Sequence, residues 1–167
     1  MTIVLRGPLT ETRLILNPGE MAIATTIAGI RQGVNRERGI VNQKAGSQDP
    51  ITTDIVGMLG ELAFAKWANV CPDLSTHLRA GSYDAVFRGY TVDVKSTRNP
   101  VGPLYVDVRP DKAPDLYVLV HVEYATCTLL GWVWRSELNE YLTPGENRIP
   151  ANQLSEMRWL AEIEPKP

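Results

Sequence analysis

The feature that most constrains the fold is the segment DLYVLVHVE at 115–123, which is almost wholly apolar. A strand with one face in water alternates between apolar and polar residues, whereas a strand buried on both faces is a continuous apolar run. The segment therefore predicts a strand at the centre of a sheet.

Shorter segments around this central strand also have β-rich or alternating patterns. SYDAVFRGYTVDVKS at 82–96 predicts two strands joined by a tight turn at Arg88-Gly89. PLYVDVR at 103–109 predicts a third strand, and CTLLGWVWR at 127–135 predicts the strand after the central one. Ser136 is a candidate cap for a short helix, SELNEYL, and the remaining tail is polar and contains prolines.

The first half of the chain has helical spacing. Asn17-Pro18-Gly19-Glu20 predicts a helix start, and the helix continues to about Arg38 with Ile23, Ile27, Ile30 and Val34 on one apolar face. Residues 39–52 predict a loop that is long for a compact domain. Thr53 or Asp54 then caps a second helix that ends near Ala68, and Gly57 and Gly60 allow this helix to pack closely.

These elements predict one α/β (or α+β) domain over residues 1–167, with a central mixed sheet of four to five strands flanked by helices. Its core spans about 17–142, after an extended N-terminal piece. The chain has 44% hydrophobic and 22% charged residues, the balance of a soluble globular protein, and no run is apolar for long enough to cross a membrane. We expect no membrane association and a cytoplasmic location.

The sequence indicates oxygen ligands for any bound metal. Its two cysteines and two histidines have no zinc-ligand spacing, so we expect no zinc, and magnesium, manganese or calcium are the candidates. The formal net charge of −2 argues against a strong nucleic-acid binder. Clustered carboxylates that hold a divalent cation would weaken that objection, because the cation offsets their charge.

The residues with the clearest chemical signal are Asp84, Asp93 and Lys95. Asp93 and Lys95 are two apart in a predicted strand, so their side chains point to the same face, and Asp84 lies on the preceding hairpin strand. Two carboxylates that hold a metal ion, with an ammonium beside them, suit phosphodiester hydrolysis. The alternative is a solvated cross-strand ion pair, worth less than about 1 kcal/mol.

Glu61 is an unexpected carboxylate in an otherwise apolar helix, and a buried carboxylate needs a partner.

GMLGELAFAKW at 57–67 followed by SYDAVFRGYTVDVKSTR at 82–98 resembles the PD-(D/E)XK nuclease superfamily, particularly its small phage-type members. The resemblance implies a restriction-endonuclease-like core. It also implies that Asp84 and Asp93 bind Mg2+ or Mn2+, that the backbone carbonyl of Val94 completes the metal shell, and that Lys95 is catalytic. Glu61 would be the carboxylate that the helix contributes. Tyr83 stands where the superfamily has proline, and no helix-compatible segment follows Lys95.

We therefore expect a Mg2+-dependent deoxyribonuclease, involved in phage or mobile-element DNA processing and located in the host cytoplasm if a phage encodes it. The alternative is a catalytically inactive DNA-binding or protein-interaction module on the same fold, such as an inhibitor of a host system. A homodimer is compatible with the pattern of the last strand. Six basic residues are candidates for DNA contacts, with ordinary surface charge as the alternative: Arg36, Arg38, Lys44, Arg98, Arg109 and Lys112.

Overall fold

The computed structural model describes residues 12–37, 49–76, 83–107 and 113–167. It is a mixed α/β structure with a five-stranded sheet, a separate two-stranded ribbon and, in these residues, four helices. In chain order the elements are β1 (Arg13–Ile15), α1 (Pro18–Glu37), α2 (Pro50–Ala68), β2 (Ala85–Phe87), β3 (Tyr90–Thr97), β4 (Leu104–Tyr105), β5 (Leu116–Glu123), β6 (Thr126–Trp134), α3 (Leu138–Tyr141), β7 (Arg148–Ile149) and α4 (Met157–Glu162).

The main sheet has the strand order β1-β6-β5-β3-β2. Strands β3 and β5 run parallel, and all the other neighbouring pairs in this sheet are antiparallel. The prediction that the apolar segment is central is confirmed, because β5 lies between β3 and β6 and residues 116–120 are all buried.

The two faces of the sheet are covered by different layers. One face, here called the helical face, carries Val92, Val94, Val118 and Val120 and shares a core with α1, α2 and α4. The other, here called the ribbon face, carries Tyr117, Leu119 and Val133. These three residues share a second core with residues of the β4–β7 ribbon and α3, namely Leu104, Ile149 and Leu138.

The predicted third strand is the main departure from the expected topology. Among its described residues, 103–107, only Leu104 and Tyr105 form a strand, and they pair with β7 rather than joining the main sheet. The connection from β3 to β5 therefore spans residues 98–115, which is long enough to bring β5 back parallel to β3. The predicted polar tail after residue 142 in fact contributes β7 and α4, and it buries Ile149, Met157 and Leu160.

The helix boundaries correct two predictions. Helix α2 begins earlier than expected, at Pro50, and its N-cap is Asp49, whose carboxylate accepts a hydrogen bond from the Thr52 backbone amide at 3.3 Å. Ser136 does not cap α3, since it lies within a 3-10 turn formed by Arg135–Glu137. Helix α1 ends at Glu37, close to the predicted residue, and residues 38–48 of the predicted loop lie outside the described part of the chain.

Helix α1 also buries a different face from the one predicted. Ala24 and Ala28 are its buried residues, whereas Ile23 and Ile30 are more than 40% exposed. Small alanines one turn apart let α1 approach α2 closely, and the isoleucines then point away from that contact. None of the helices in the described ranges is both long and apolar enough to cross a membrane.

Gly60 sets the distance between α2 and the sheet. A Cβ atom at Gly60 would lie 2.0 Å from the Ser96 Oγ and 3.2 Å from the Ser96 Cβ, so α2 rests directly on β3 at this point. At Gly57, almost one turn earlier, the position that a Cβ atom would take has nothing within 4 Å. The expectation of close packing therefore holds for Gly60 but not for Gly57.

We predict opposite effects of alanine at these two glycines. Gly57→Ala should stabilise the protein by up to about 1 kcal/mol, because alanine is the better helix former. Gly60→Ala should lower the free energy of unfolding by about 1–3 kcal/mol, because the added methyl group overpacks the helix–sheet contact. Urea unfolding of both variants tests this, and adding Ser96→Ala to Gly60→Ala should recover part of the loss. Equal effects of the two alanines would show that α2 does not rest on β3 through Gly60.

Candidate functional site

A tight hairpin brings Asp84 beside Asp93. Arg88 and Gly89 form its two-residue turn with φ angles of 51° and 84°, and a right-twisted hairpin requires two such positive values. Ala85 is paired with Val92, so Asp84, one residue before β2, lies next to the position of Asp93. This confirms the predicted turn at Arg88-Gly89.

Asp84 extends the pairing between β2 and β3 beyond the end of β2. Its backbone amide donates to the carbonyl of Val92 at 2.8 Å, and its carboxylate Oδ2 accepts from the backbone amide of Val94, also at 2.8 Å. The carboxylate thus replaces the backbone partner that a longer β2 would supply. Both bonds fix Asp84 against β3.

Asp93 and Lys95 share the ribbon face, as their spacing predicts. Val92 and Val94 belong to the core on the helical face, so the alternating residues of β3 point the other way. The Lys95 Nζ lies 2.8 Å from the Asp93 Oδ2. Asp93 is only 8% exposed, while the Lys95 side chain is 38% exposed and lies on the solvent side of the pair.

The environment of Asp93 favours its protonated form. Burial raises its pKa to about 6 from the ordinary 3.8, the charge of Lys95 opposes this shift, and the negative charge of Asp84 adds to it. The Asp84 carboxylate is also within hydrogen-bonding reach of Asp93. Two carboxylates are therefore held side by side at a buried position, with the Lys95 ammonium paired to Asp93.

Glu61 lies in a different network. Its Oε2 forms an ion pair at 3.1 Å with Nη1 of Arg31, on α1, and both side chains are largely buried. Glu61 belongs to α2, which covers the helical face, whereas Asp93 points to the ribbon face. Among the described residues, no group of three or more histidine, cysteine, aspartate or glutamate side chains is arranged to hold a metal ion. The structure therefore does not add Glu61 to Asp84 and Asp93 as a third carboxylate.

Arg31, on α1, forms contacts with α2 and with the segment after α2. Besides Glu61, its guanidinium donates to the carbonyls of Asp73 and Ser75, at 2.6 and 3.0 Å, and it contacts the sulfur of Met58 at 3.3 Å. The Glu61 carboxylate supplies the charge that a buried arginine needs. Its odd position in an apolar helix is explained by this contact between α1, α2 and the segment after α2.

Tyr117 is a neighbour of Asp93 that the sequence pattern does not single out. The two residues are paired across β3 and β5, and the Tyr117 hydroxyl donates to the carbonyl of Asp107 at 2.9 Å. Burial and the nearby charge of Asp93 raise the pKa of Tyr117 to about 12, while the positive charge of Arg135 acts in the opposite direction. Tyr117 therefore lies within the electrostatic reach of both Asp93 and Arg135. The apolar pattern of β5 conceals it, because tyrosine is also an ordinary core residue.

Two of the candidate DNA-binding residues lie in the described parts of the chain. Arg36 is exposed in the last turn of α1, and Arg98 is exposed directly after β3, three residues beyond Lys95. The other candidates, Arg38, Lys44, Arg109 and Lys112, lie outside the described residues. The homodimer stays a prediction; β1 pairs with residues 126–128 of β6, and Trp132 is buried in the core.

Comparison with known proteins places the chain in one family. Residues 6–132 match a family of unknown function (DUF5843), and the chain belongs to this family. The matched region runs from before β1 to near the end of β6 and includes Glu61, Asp84, Asp93 and Lys95. No similar curated protein and no similar solved structure was found.

We predict that Asp93 makes the protein less stable as pH rises through 6 in the absence of divalent cations. The folded pKa of about 6 exceeds the unfolded value of 3.8, so the stabilisation is complete below pH 3.8 and is lost as pH rises through 6. The loss is at most about 3 kcal/mol. Urea unfolding between pH 4.5 and 7.5 in EDTA should show this loss relative to Asp93→Asn. Parallel pH profiles for the two proteins would contradict the raised pKa.

We also predict that Glu61→Gln lowers the free energy of unfolding by about 1–3 kcal/mol, because Arg31 keeps its charge and loses its buried counterion. Glu156→Gln is the matched control, since Glu156 pairs with Arg158 at 3.0 Å on the surface. The control should change stability by less than about 0.5 kcal/mol. Thermal and urea unfolding measure both, and equal losses would show that the Arg31 contact carries no special weight.

Proposed function

We propose that the chain is a Mg2+-dependent nuclease that hydrolyses phosphodiester bonds in DNA, with Asp84, Asp93 and Lys95 as its catalytic residues. The observation that carries this proposal is the lysine ammonium 2.8 Å from a buried carboxylate that has a second carboxylate beside it. Chemically, this is a pair of carboxylates with a partly exposed ammonium on its solvent side.

The arrangement fits an oxygen-ligated divalent cation. Burial and the Asp84 charge both work against ionisation of Asp93, and a cation held between the two carboxylates would reverse that effect. Mg2+ keeps several waters and needs only one or two protein carboxylates when substrate phosphates supply further ligands. Two carboxylates, with the Val94 carbonyl as a proposed addition, are then a sufficient protein contribution.

The chain's own residues have separate roles in this proposal. Asp84 and Asp93 hold the cation, which supplies charge neutralisation at the phosphate and a bound water of lowered pKa. Lys95, released from its ion pair with Asp93, positions the attacking water or stabilises the charge that develops on the phosphate oxygens. Its partial exposure lets the ammonium reach a substrate while the carboxylates stay behind it.

The proposal includes a restriction-endonuclease-like core, with α2 before the hairpin and the site on β3. Glu61, expected from the resemblance to support the metal, would act indirectly through its contact with Arg31, which fixes α2 against α1. One such site cuts one strand, so cleavage of a duplex on both strands would need two copies of the chain or two binding events.

A specific observation favours the alternative, a catalytically inactive DNA-binding or protein-interaction module. The site residues already satisfy one another, since Lys95 pairs with Asp93 and Asp84 accepts the Val94 amide. Such a cluster can serve as structure alone. A measurement of metal binding distinguishes the two functions, because only the nuclease needs Asp84 and Asp93 to bind a cation.

We predict that calorimetric titration with Mn2+ shows binding to the wild type and none to Asp93→Asn or Asp84→Asn. Supercoiled plasmid and branched DNA should be cleaved with Mg2+, and Lys95→Met should lower the cleavage rate by at least about a hundredfold, the effect of losing a general acid–base group.

Lys66→Met is the matched control for Lys95→Met. Lys66 is a lysine of similar exposure, in an ion pair with Glu20 at 2.9 Å, but it lies on α2 away from β3. This variant should cleave at the wild-type rate. No Mn2+ binding by the wild type would refute the metal site, and equal cleavage by wild type and Lys95→Met would indicate a contaminating nuclease.

A further inference from the structure

A second site lies at the end of the sheet where β3 and β5 begin and β6 ends. A pocket of about 580 Å3 opens there, within the size range of small-molecule sites. Its walls combine two aromatic rings, one cation and two neutral polar side chains: Tyr90, Trp134, Arg135, Ser136 and Asn139.

Arg135 supplies the positive charge of this pocket. Its side chain is partly buried, yet among the described residues its guanidinium has no hydrogen-bond or ion-pair partner. A partly buried guanidinium with five donors and no acceptor is suited to bind a phosphate or carboxylate. Ser136 and Asn139 follow within one turn of chain and add a hydroxyl and an amide on the same side.

The acidic residue in the pocket wall is already compensated. The Asp115 carboxylate accepts hydrogen bonds from the Thr91 amide and hydroxyl and forms an ion pair with the Lys166 Nζ at 2.9 Å. Although partial burial acts to raise its pKa, the bonds from Lys166 and Thr91 outweigh that effect and hold the pKa below its ordinary value. Asp115 therefore stays ionised and paired, and the charge of Arg135 is left for a ligand.

The aromatic wall indicates what else the ligand carries. The rings of Tyr90 and Trp134 meet edge to face, with centroids 5.0 Å apart, and both side chains are half-buried. The Lys166 Nζ lies 5.6 Å from the centroid of the Tyr90 ring, so the partly exposed ring of Trp134 is the main aromatic surface beside Arg135. Such a surface beside a cation suits a planar heterocycle joined to a phosphate, because bases stack on aromatic side chains. A bare inorganic anion would use Arg135 but leave this wall in water.

We infer that the pocket binds one nucleotide unit, with its phosphate on Arg135, Ser136 and Asn139 and its base against Trp134 and Tyr90. Asp93 is paired with Tyr117, and Tyr117 is paired with Val133, two residues before Arg135, so the pocket lies near the acidic site. It would hold the nucleotide next to the cleaved phosphodiester; this last step rests on the proposed nuclease function.

The experiment titrates the whole protein with a deoxynucleoside 5′-monophosphate in EDTA, followed by the NMR signals of the tryptophan indoles. The indole signal of Trp134 should shift, whereas that of Trp67, which is fully buried in the core, should not. Arg135→Gln should weaken binding at least about tenfold, the effect of losing hydrogen bonds to a charged group. The free nucleoside should bind at least about tenfold more weakly than the nucleotide, for the same reason.

Arg148→Gln is the matched control, because Arg148 is an exposed arginine on β7 outside the pocket wall, and it should bind the nucleotide like the wild type. Asn139→Ala, at an exposed position, should weaken binding severalfold. It provides a second test of the pocket if Arg135→Gln does not fold. Absence of nucleotide binding, or equal affinity in wild type, Arg135→Gln and Asn139→Ala, would overturn the proposal.

The two proposals can fail separately. Nucleotide binding that depends on Arg135, in a protein that neither binds Mn2+ nor cleaves DNA, supports the pocket and refutes the nuclease. Metal-dependent cleavage that requires Lys95, without nucleotide binding in EDTA, supports the nuclease and refutes the pocket.

Discussion

The burial of β5 on both faces is the constraint on which the other layers depend. Residues 116–120 are buried without interruption, so the sheet needs one cover over Val118 and another over Leu119. The helices supply the first cover, and the β4–β7 ribbon with α3 supplies the second. Because β3 lies beside β5, its middle residues 92–94 are buried under the same two covers, and the only polar residue among these three is Asp93. The position of Asp93 follows from this.

A carboxylate in that position has an energetic cost that its neighbours only partly offset. Lys95 compensates one negative charge, but Asp84, fixed by the Val94 amide, brings a second. A site selected only for stability would be expected to replace Asp93 with an apolar residue, since well-packed apolar groups often equal or exceed buried ion pairs. The unfavourable electrostatics therefore argue for function at this point, in the same way that perturbed carboxyl groups do at other sites.

Sequence patterns predicted the structural features that depend only on residues close together in the chain. The turn at Arg88-Gly89 and the common face of Asp93 and Lys95 follow from a period of two and from turn chemistry. The pairing of β4 with β7 could not be predicted, because its partner strand comes more than forty residues later in a polar segment. The partner of Glu61 likewise depends on how α1 lies against α2. Helical spacing alone predicted Ile27, which packs against the core, but also Ile23 and Ile30, which are exposed, and it did not predict the buried Ala24 and Ala28.

The net charge of −2 is compatible with an anionic ligand when each carboxylate is considered together with its ion-pair partner. Asp93 pairs with Lys95 and Asp115 with Lys166, so the carboxylates nearest to the pocket are compensated. Arg135 then contributes a local positive charge at the pocket that the net charge of the chain does not reveal. Steering of a charged ligand depends on the local field in such a cleft rather than on the sum over the chain. The acidic total is therefore weak evidence against a nucleotide or DNA ligand.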